Sequence, residues 1–149
     1  MAVKLVTFFA ILFAALTFVG PAAHLFSLSN KIGMNQSDYY VAQAVYRRWD
    51  LLGWSYLGSL AFTLALAIML RGGGAAFWLA SAGFALTALS LVIFFIWVMP
   101  GNSATQNWTV APENWRTLRT NWEYGHAGSA VATFLALCAV AAASALGRP

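Results

Sequence analysis

Asn114–Ala130 reads N-W-R-T-L-R-T-N-W-E-Y-G-H-A-G-S-A, a charged, tryptophan-rich segment that passes directly into an apolar one. On a helical period Trp115, Arg119, Trp122 and His126 fall at i, i+4, i+7 and i+11, so they share one face, flanked by Arg116 and Glu123. Ionisable groups entering an apolar helix are costly unless facing elements need them, so the fold turns on what this stripe faces.

Outward from that stretch the chain is built for lipid. Of 149 residues, 61% are hydrophobic and 8% charged, against about 25% charged in soluble domains. The expected fold is an all-α, integral membrane, antiparallel four-helix bundle forming one domain over 1–149, because a helix satisfies its own backbone in hydrocarbon. The net charge of +4 is spread over the chain, which excludes a nucleic-acid footprint and suits basic side chains that anchor helix ends to lipid headgroups. Cys138, the only cysteine, excludes an intramolecular disulfide and a thiolate cluster; it lies in the apolar run Thr133–Ala145 and reads as a buried packing residue.

Spans are expected at about 5–28, 51–70, 76–99 and 122–146, each roughly the 20 residues that cross a bilayer. The first run outlasts a leader's apolar core and continues past Pro21, so it reads as a span, kinked at Pro21, with His24 beyond the kink. Asn30–Ser37 reads as a loop with Ser37 as N-cap. One long helix is expected from Ser37 to Leu70, carrying Tyr39, Gln43, Tyr46 and Asp50 on a second polar and aromatic stripe, with Arg47, Arg48 and Trp49 at the membrane crossing. Arg71–Gly74, R-G-G-G, is a tight turn between antiparallel neighbours. Pro100 and Gly101 stop the third span, and the polar loop Gly101–Pro112 is long enough to fold over the bundle mouth. A short interfacial helix, Glu113–Asn121, then precedes the fourth span, where Gly125, Ser129 and Thr133 allow close contact within the bundle or with a second copy.

Four spans place both longer loops, and with them His24 and His126, at one end. Lys31, Arg47, Arg48, Arg116 and Arg119 lie on that side, and Lys4, Arg71 and Arg148 on the other. The bias of five to three favours cytoplasmic loops, whereas a short N-terminus staying inside argues the reverse orientation.

If the stripes face each other they assemble His24, His126, Glu123, Asp50, Arg119, Tyr46 and Gln43, walled by Trp115, Trp122 and Trp49. This set suits acid and base work on an aromatic or phenolic molecule arriving from lipid, with histidine moving the proton and arginine and tyrosine holding an oxyanion. The same residues also read as a structural network tying helix ends together, the arrangement of a non-catalytic subunit or scaffold. A third reading makes His24 and His126 haem ligands or, with Glu123 or Asp50, a metal site in an electron-transfer protein. Phe77, Phe94, Phe95 and Trp97 read as core or lipid contacts.

Three segments, His24–Tyr46 (H-L-F-S-L-S-N-K-I-G-M-N-Q-S-D-Y-Y-V-A-Q-A-V-Y), Phe94–Trp108 (F-F-I-W-V-M-P-G-N-S-A-T-Q-N-W) and Trp115–Ala127 (W-R-T-L-R-T-N-W-E-Y-G-H-A), resemble the small four-helix bacterial membrane proteins of the anthrone-oxygenase-like family. The most specific part is W-x-x-L-R-x-x-W-E-Y-x-H. The resemblance implies a cofactor-independent oxygenase of a bacterial inner membrane that places an oxygen atom from O2 on a tricyclic anthrone, making an anthraquinone. Carried over position by position, it implies site roles for His24, Asn30, Lys31, Tyr39, Gln43, Tyr46, Trp115, Leu118, Arg119, Trp122, Glu123 and His126.

Overall fold

The structure, a computed structural model, describes residues 1–146; Arg148 of the charge count lies outside them. It is helical, with no strand among the described residues. The elements are α1 (Ala2–Lys31), α2 (Gln36–Ala44), a 3-10 turn (Trp49–Leu52), α3 (Gly53–Met69), α4 (Ala75–Ile93), a π-helical turn (Phe94–Val98), α5 (Met99–Ala104) and α6 (Trp115–Leu146). Four helical stretches, Ala2–Lys31, Trp49–Met69, Ala75–Ala104 and Trp115–Leu146, are long and apolar enough to cross a membrane. In the bundle α1 packs on α3 and α6, and α4 packs on α3 and α6, so the order around the ring is α1–α3–α4–α6. Exposed Leu, Phe and Trp side chains, among them Phe8, Leu64, Trp78 and Phe134, cover the outside, as lipid contact requires.

Small side chains let the helices approach. Ala10, Ala67, Ala80, Ala143, Leu66 and Val140 form the core toward the termini. Hydroxyls meet between helices at mid-height: Thr17 and Ser55 at 3.1 Å, and Ser59 and Thr87 at 3.3 Å. Such polar contacts help hold helices together where lipid removes the hydrophobic incentive to pack. Gly125, Ser129 and Thr133 are buried, and a Cβ on Gly125 would lie 2.9 Å from Trp97 Cβ. The small-residue stripe of α6 therefore packs inside the bundle, against the exit of α4. The R-G-G-G turn forms as expected, with Gly72 and Gly74 at φ 81° and 58°, where a glycine has no Cβ to clash.

Five expectations are corrected. The long helix from Ser37 to Leu70 breaks after Ala44, and Arg48 takes φ 69°; residues 45–52 hold no glycine or proline to signal the turn. Asn35, not Ser37, caps α2, its Oδ1 accepting from Asp38 N at 3.0 Å and from the Ser37 hydroxyl at 2.8 Å. Pro100 does not stop the third span. The π turn ahead of it absorbs the lost hydrogen bond, Pro100 sits at the start of α5, and the helix runs to Ala104. The segment before the fourth span is not a separate short helix: α6 is continuous from Trp115, with no helix breaker between Trp115 and the span. Cys138 is exposed on the outside of α6 instead of buried, because its neighbours Ala136 and Val140 take the inward positions.

Candidate functional site

The loop-side end holds a cavity of about 1110 Å³, a volume that accommodates a drug-sized molecule. Polar and aromatic groups from every part of the bundle meet on its wall: His24, Tyr46, Asn102, Trp108, Trp122 and His126. Tyr56, Leu57, Leu91, Phe94 and Phe95, from the bodies of α3 and α4 and from the π turn, continue the lining toward the apolar part of the bundle. Thus Phe94 and Phe95, expected as core or lipid contacts, also face the cavity. The loop after α5 folds back over the mouth, placing Gln106, Asn107 and Trp108 on the lining with φ of 49°, 57° and 63°. Three consecutive non-glycine residues in the left-handed region cost about 1–2 kcal/mol each. The Thr105 hydroxyl, accepting from Trp108 N at 2.9 Å, helps hold the turn.

At the centre the two histidines meet. Their ring centroids lie 4.2 Å apart with planes 33° off parallel. Trp122 stands edge-on to both, at 4.6 Å from His24 and 4.2 Å from His126, and Tyr46 lies 4.1 Å from His24. Trp122 is pinned because its Nε1 donates to Asn102 Oδ1 at 2.7 Å, and Gly101 leaves room for the indole, since a Cβ there would lie 3.0 Å from its Cδ1. Tyr46 is a wall and not a free donor. The single hydroxyl proton of Ser27 goes to the Ala23 carbonyl at 2.8 Å, so the Tyr46 hydroxyl, 3.3 Å away, donates to Ser27 Oγ. Trp49, about a third exposed, closes the outer side 5.0 Å from Tyr46.

Behind this aromatic box lies a buried ion pair. Lys31 Nζ sits 2.9 Å from Glu123 Oε1 and 3.1 Å from His24 Nδ1, with the Tyr46 ring centroid at 4.9 Å and that of Trp122 at 5.4 Å. Glu123 Oε1 also accepts from the Tyr39 hydroxyl at 2.9 Å and from Gln43 Nε2 at 3.4 Å, and Gln43 donates to the Tyr39 oxygen as well. Burial, reinforced by the neighbouring carboxylate, pushes the Tyr39 hydroxyl well above its ordinary value, so it is a donor throughout the physiological range. Arg119 stacks on Trp115 at 4.8 Å and donates to the Met34 carbonyl at 2.6 Å, which ties the loop between α1 and α2 to α6.

The expected cluster therefore divides in two. His24, His126, Tyr46, Trp122, Gln43 and Trp49 reach the cavity, while Lys31, Glu123, Tyr39, Arg119 and Trp115 form its support and do not line it. Asn30 is exposed at the end of α1 and makes no side-chain hydrogen bond among the described residues. Asp50 is exposed at the cavity mouth, apart from Glu123, because the chain leaves its helix before reaching it.

The chain matches no protein-family model, no curated protein and no solved structure.

Two imidazoles with centroids 4.2 Å apart leave no gap for a porphyrin plane between them, so they do not fit a pair of axial haem ligands on opposite faces. No three His, Cys, Asp or Glu side chains converge among the described residues, and the candidate carboxylates are placed unfavourably, Glu123 behind Lys31 and Asp50 at the mouth. Asn102, on α5, and Trp108, in the loop after it, reach the cavity without being singled out by any helical stripe in the sequence. A tryptophan between asparagine and threonine in a loop was the one available signal that part of it is buried.

Proposed function

We propose that this protein is a bacterial inner-membrane oxygenase of the anthrone-oxygenase type, which binds a hydrophobic aromatic or quinone-like molecule from lipid and oxidises it with O2 without a bound cofactor. The observation that carries the reading is the close, tilted histidine pair on the wall of an aromatic-lined cavity that extends into the apolar bundle. Tryptophan and tyrosine faces suit a planar ring system, and a positioned imidazole can take a proton from a ring methylene activated by a neighbouring carbonyl.

The step balances as follows. One histidine removes a proton from the methylene, and the resulting carbanion, delocalised onto the carbonyl oxygen, transfers electrons to O2 and forms a C–O bond. The histidine returns the proton to the peroxide, the second C–H proton is removed, and the O–O bond breaks. One oxygen atom stays as the new ketone; the other leaves as water with both hydrogens. Carbon loses four electrons and O2 gains four. Apolar walls keep bulk water from the carbanion.

The test is anthrone-dependent oxygen uptake and anthraquinone formation by purified protein in lipid nanodiscs, against protein-free nanodiscs. One O2 is expected per anthraquinone, with His126→Ala lowering the rate by about 100-fold or more, the usual contribution of a general base. A wild-type rate equal to the protein-free rate would overturn the activity, and a Soret band in the active protein would overturn the cofactor-free reading.

A further inference from the structure

We infer that Lys31 fixes His24 as a hydrogen-bond donor toward the cavity, so that the two histidines hold different offices and the ligand must present an acceptor oxygen to His24. The inference rests on the aromatic-ligand reading above and deepens it.

An ammonium has three donors and no acceptor. Lys31 lies two turns beyond His24 on the same face of α1, and its Nζ reaches back to His24 Nδ1 at 3.1 Å while Glu123 Oε1 holds it at 2.9 Å. Since Lys31 can only donate, His24 Nδ1 can only accept, and the single proton of the neutral ring sits on Nε2. Nδ1 is then occupied and Nε2 already protonated, so His24 has no free lone pair with which to act as a base. It has instead an N–H that makes no hydrogen bond to the protein among the described residues, on a ring that lines the cavity. An N–H facing an aromatic-walled cavity is best matched by a carbonyl or phenolate oxygen, and a ligand lacking one leaves it unpaired.

His126 is held differently. Its Nδ1 is buried with no partner and no side chain donates to either of its nitrogens among the described residues, so with the proton on the sealed Nδ1 the lone pair of Nε2 is the one a ligand can meet. The base is therefore His126. His24, its ring centroid 4.2 Å away, places its donor where charge collects on the ligand oxygen as His126 removes a proton. Lys31 acts through His24 and is a positioning residue. Glu123, with Tyr39 and Gln43 behind it, holds the ammonium in place.

The chain has two histidines, so nitrogen-15 NMR of histidine-labelled, untagged protein in nanodiscs shows two rings, and His126→Asn assigns them. The expected His24 ring is protonated at Nε2, with a bare Nδ1 shifted by an accepted hydrogen bond. Because Lys31→Met alone strands Glu123, the comparison variant is Lys31→Met with Glu123→Gln, in which the Nδ1 resonance moves to its unbonded position. A wild-type ring protonated at Nδ1, or an Nδ1 resonance unmoved in the double variant, overturns the inference. The ligand arm uses tryptophan quenching by anthraquinone and by anthracene, which has the same skeleton without oxygen. Wild type should prefer anthraquinone by roughly tenfold, the worth of one hydrogen bond, and His24→Phe should abolish the preference. Equal affinities in wild type overturn the donor role while leaving the aromatic-ligand reading intact. If neither compound binds, the aromatic-ligand reading fails, and with it the ligand half of this inference, while the NMR result still decides the Lys31 half.

Discussion

Removing the carboxylate of Glu123 tests the support beneath the site. Glu123 is fully buried, and its Oε1 alone accepts from Lys31, Tyr39 and Gln43. Glu123→Leu strands the Lys31 ammonium, which is itself 3% exposed, and breaking one partner of a buried pair costs about 3–5 kcal/mol. The Tyr39 hydroxyl and Gln43 amide lose their acceptor at the same time, but these losses overlap with the first because all three donors converge on one oxygen. The expected single-variant cost is therefore about 4 kcal/mol. Lys31→Met alone should cost a similar amount by stranding the carboxylate. The double variant Lys31→Met, Glu123→Leu replaces the pair with apolar groups of similar volume, which is often neutral or stabilising. It should recover most of either single loss, giving a coupling of about 3 kcal/mol or more between the two sites. The assay is reversible unfolding of the four proteins in mixed micelles, followed by tryptophan fluorescence, which senses Trp115 and Trp122 beside the pair. The reasoning is refuted if Glu123→Leu costs less than about 1 kcal/mol, or if the two losses simply add.

Two further outcomes follow from packing and titration. Tyr39→Phe should flatten the alkaline limb of stability: burial raises the hydroxyl's folded value above its unfolded one, so its contribution is complete below about pH 10 and is lost above it, by up to about 1.4 kcal/mol per pH unit. Micelle unfolding at several alkaline pH values checks this, and equal slopes in variant and wild type would contradict it. Gly125→Ala should cost about 1–3 kcal/mol by overpacking, because the new Cβ would lie 2.9 Å from Trp97 Cβ and 3.0 Å from Val98 Cγ2 at the π turn; an unchanged melting temperature would show that the turn yields freely.

Hydropathy and helical period by themselves determined that four apolar helices form, that both histidines lie at the loop-side end, and that Trp115, Arg119 and Trp122 turn to one side of α6. These follow from local chemistry, since a helix must bury its polar stripe and show lipid its apolar one. Lys31 shares a face of α1 with His24 by spacing, but its pairing with Glu123 spans two helices and is visible only in the fold. Tertiary structure alone decided which members of the cluster face a ligand. Tyr39 and Tyr46 share a stripe in the sequence, yet Tyr39 serves Glu123 and Tyr46 lies on His24, because the chain turns at Arg48 without a breaker residue to announce it. Arg119 and Glu123 belong to the candidate site by type and register but are taken up by Met34 and Lys31. Periodicity assigns a face to a residue. Which of several donors and acceptors on that face pair with one another, and which stay free for a bound molecule, depends on distances across helices that no single helix's sequence contains.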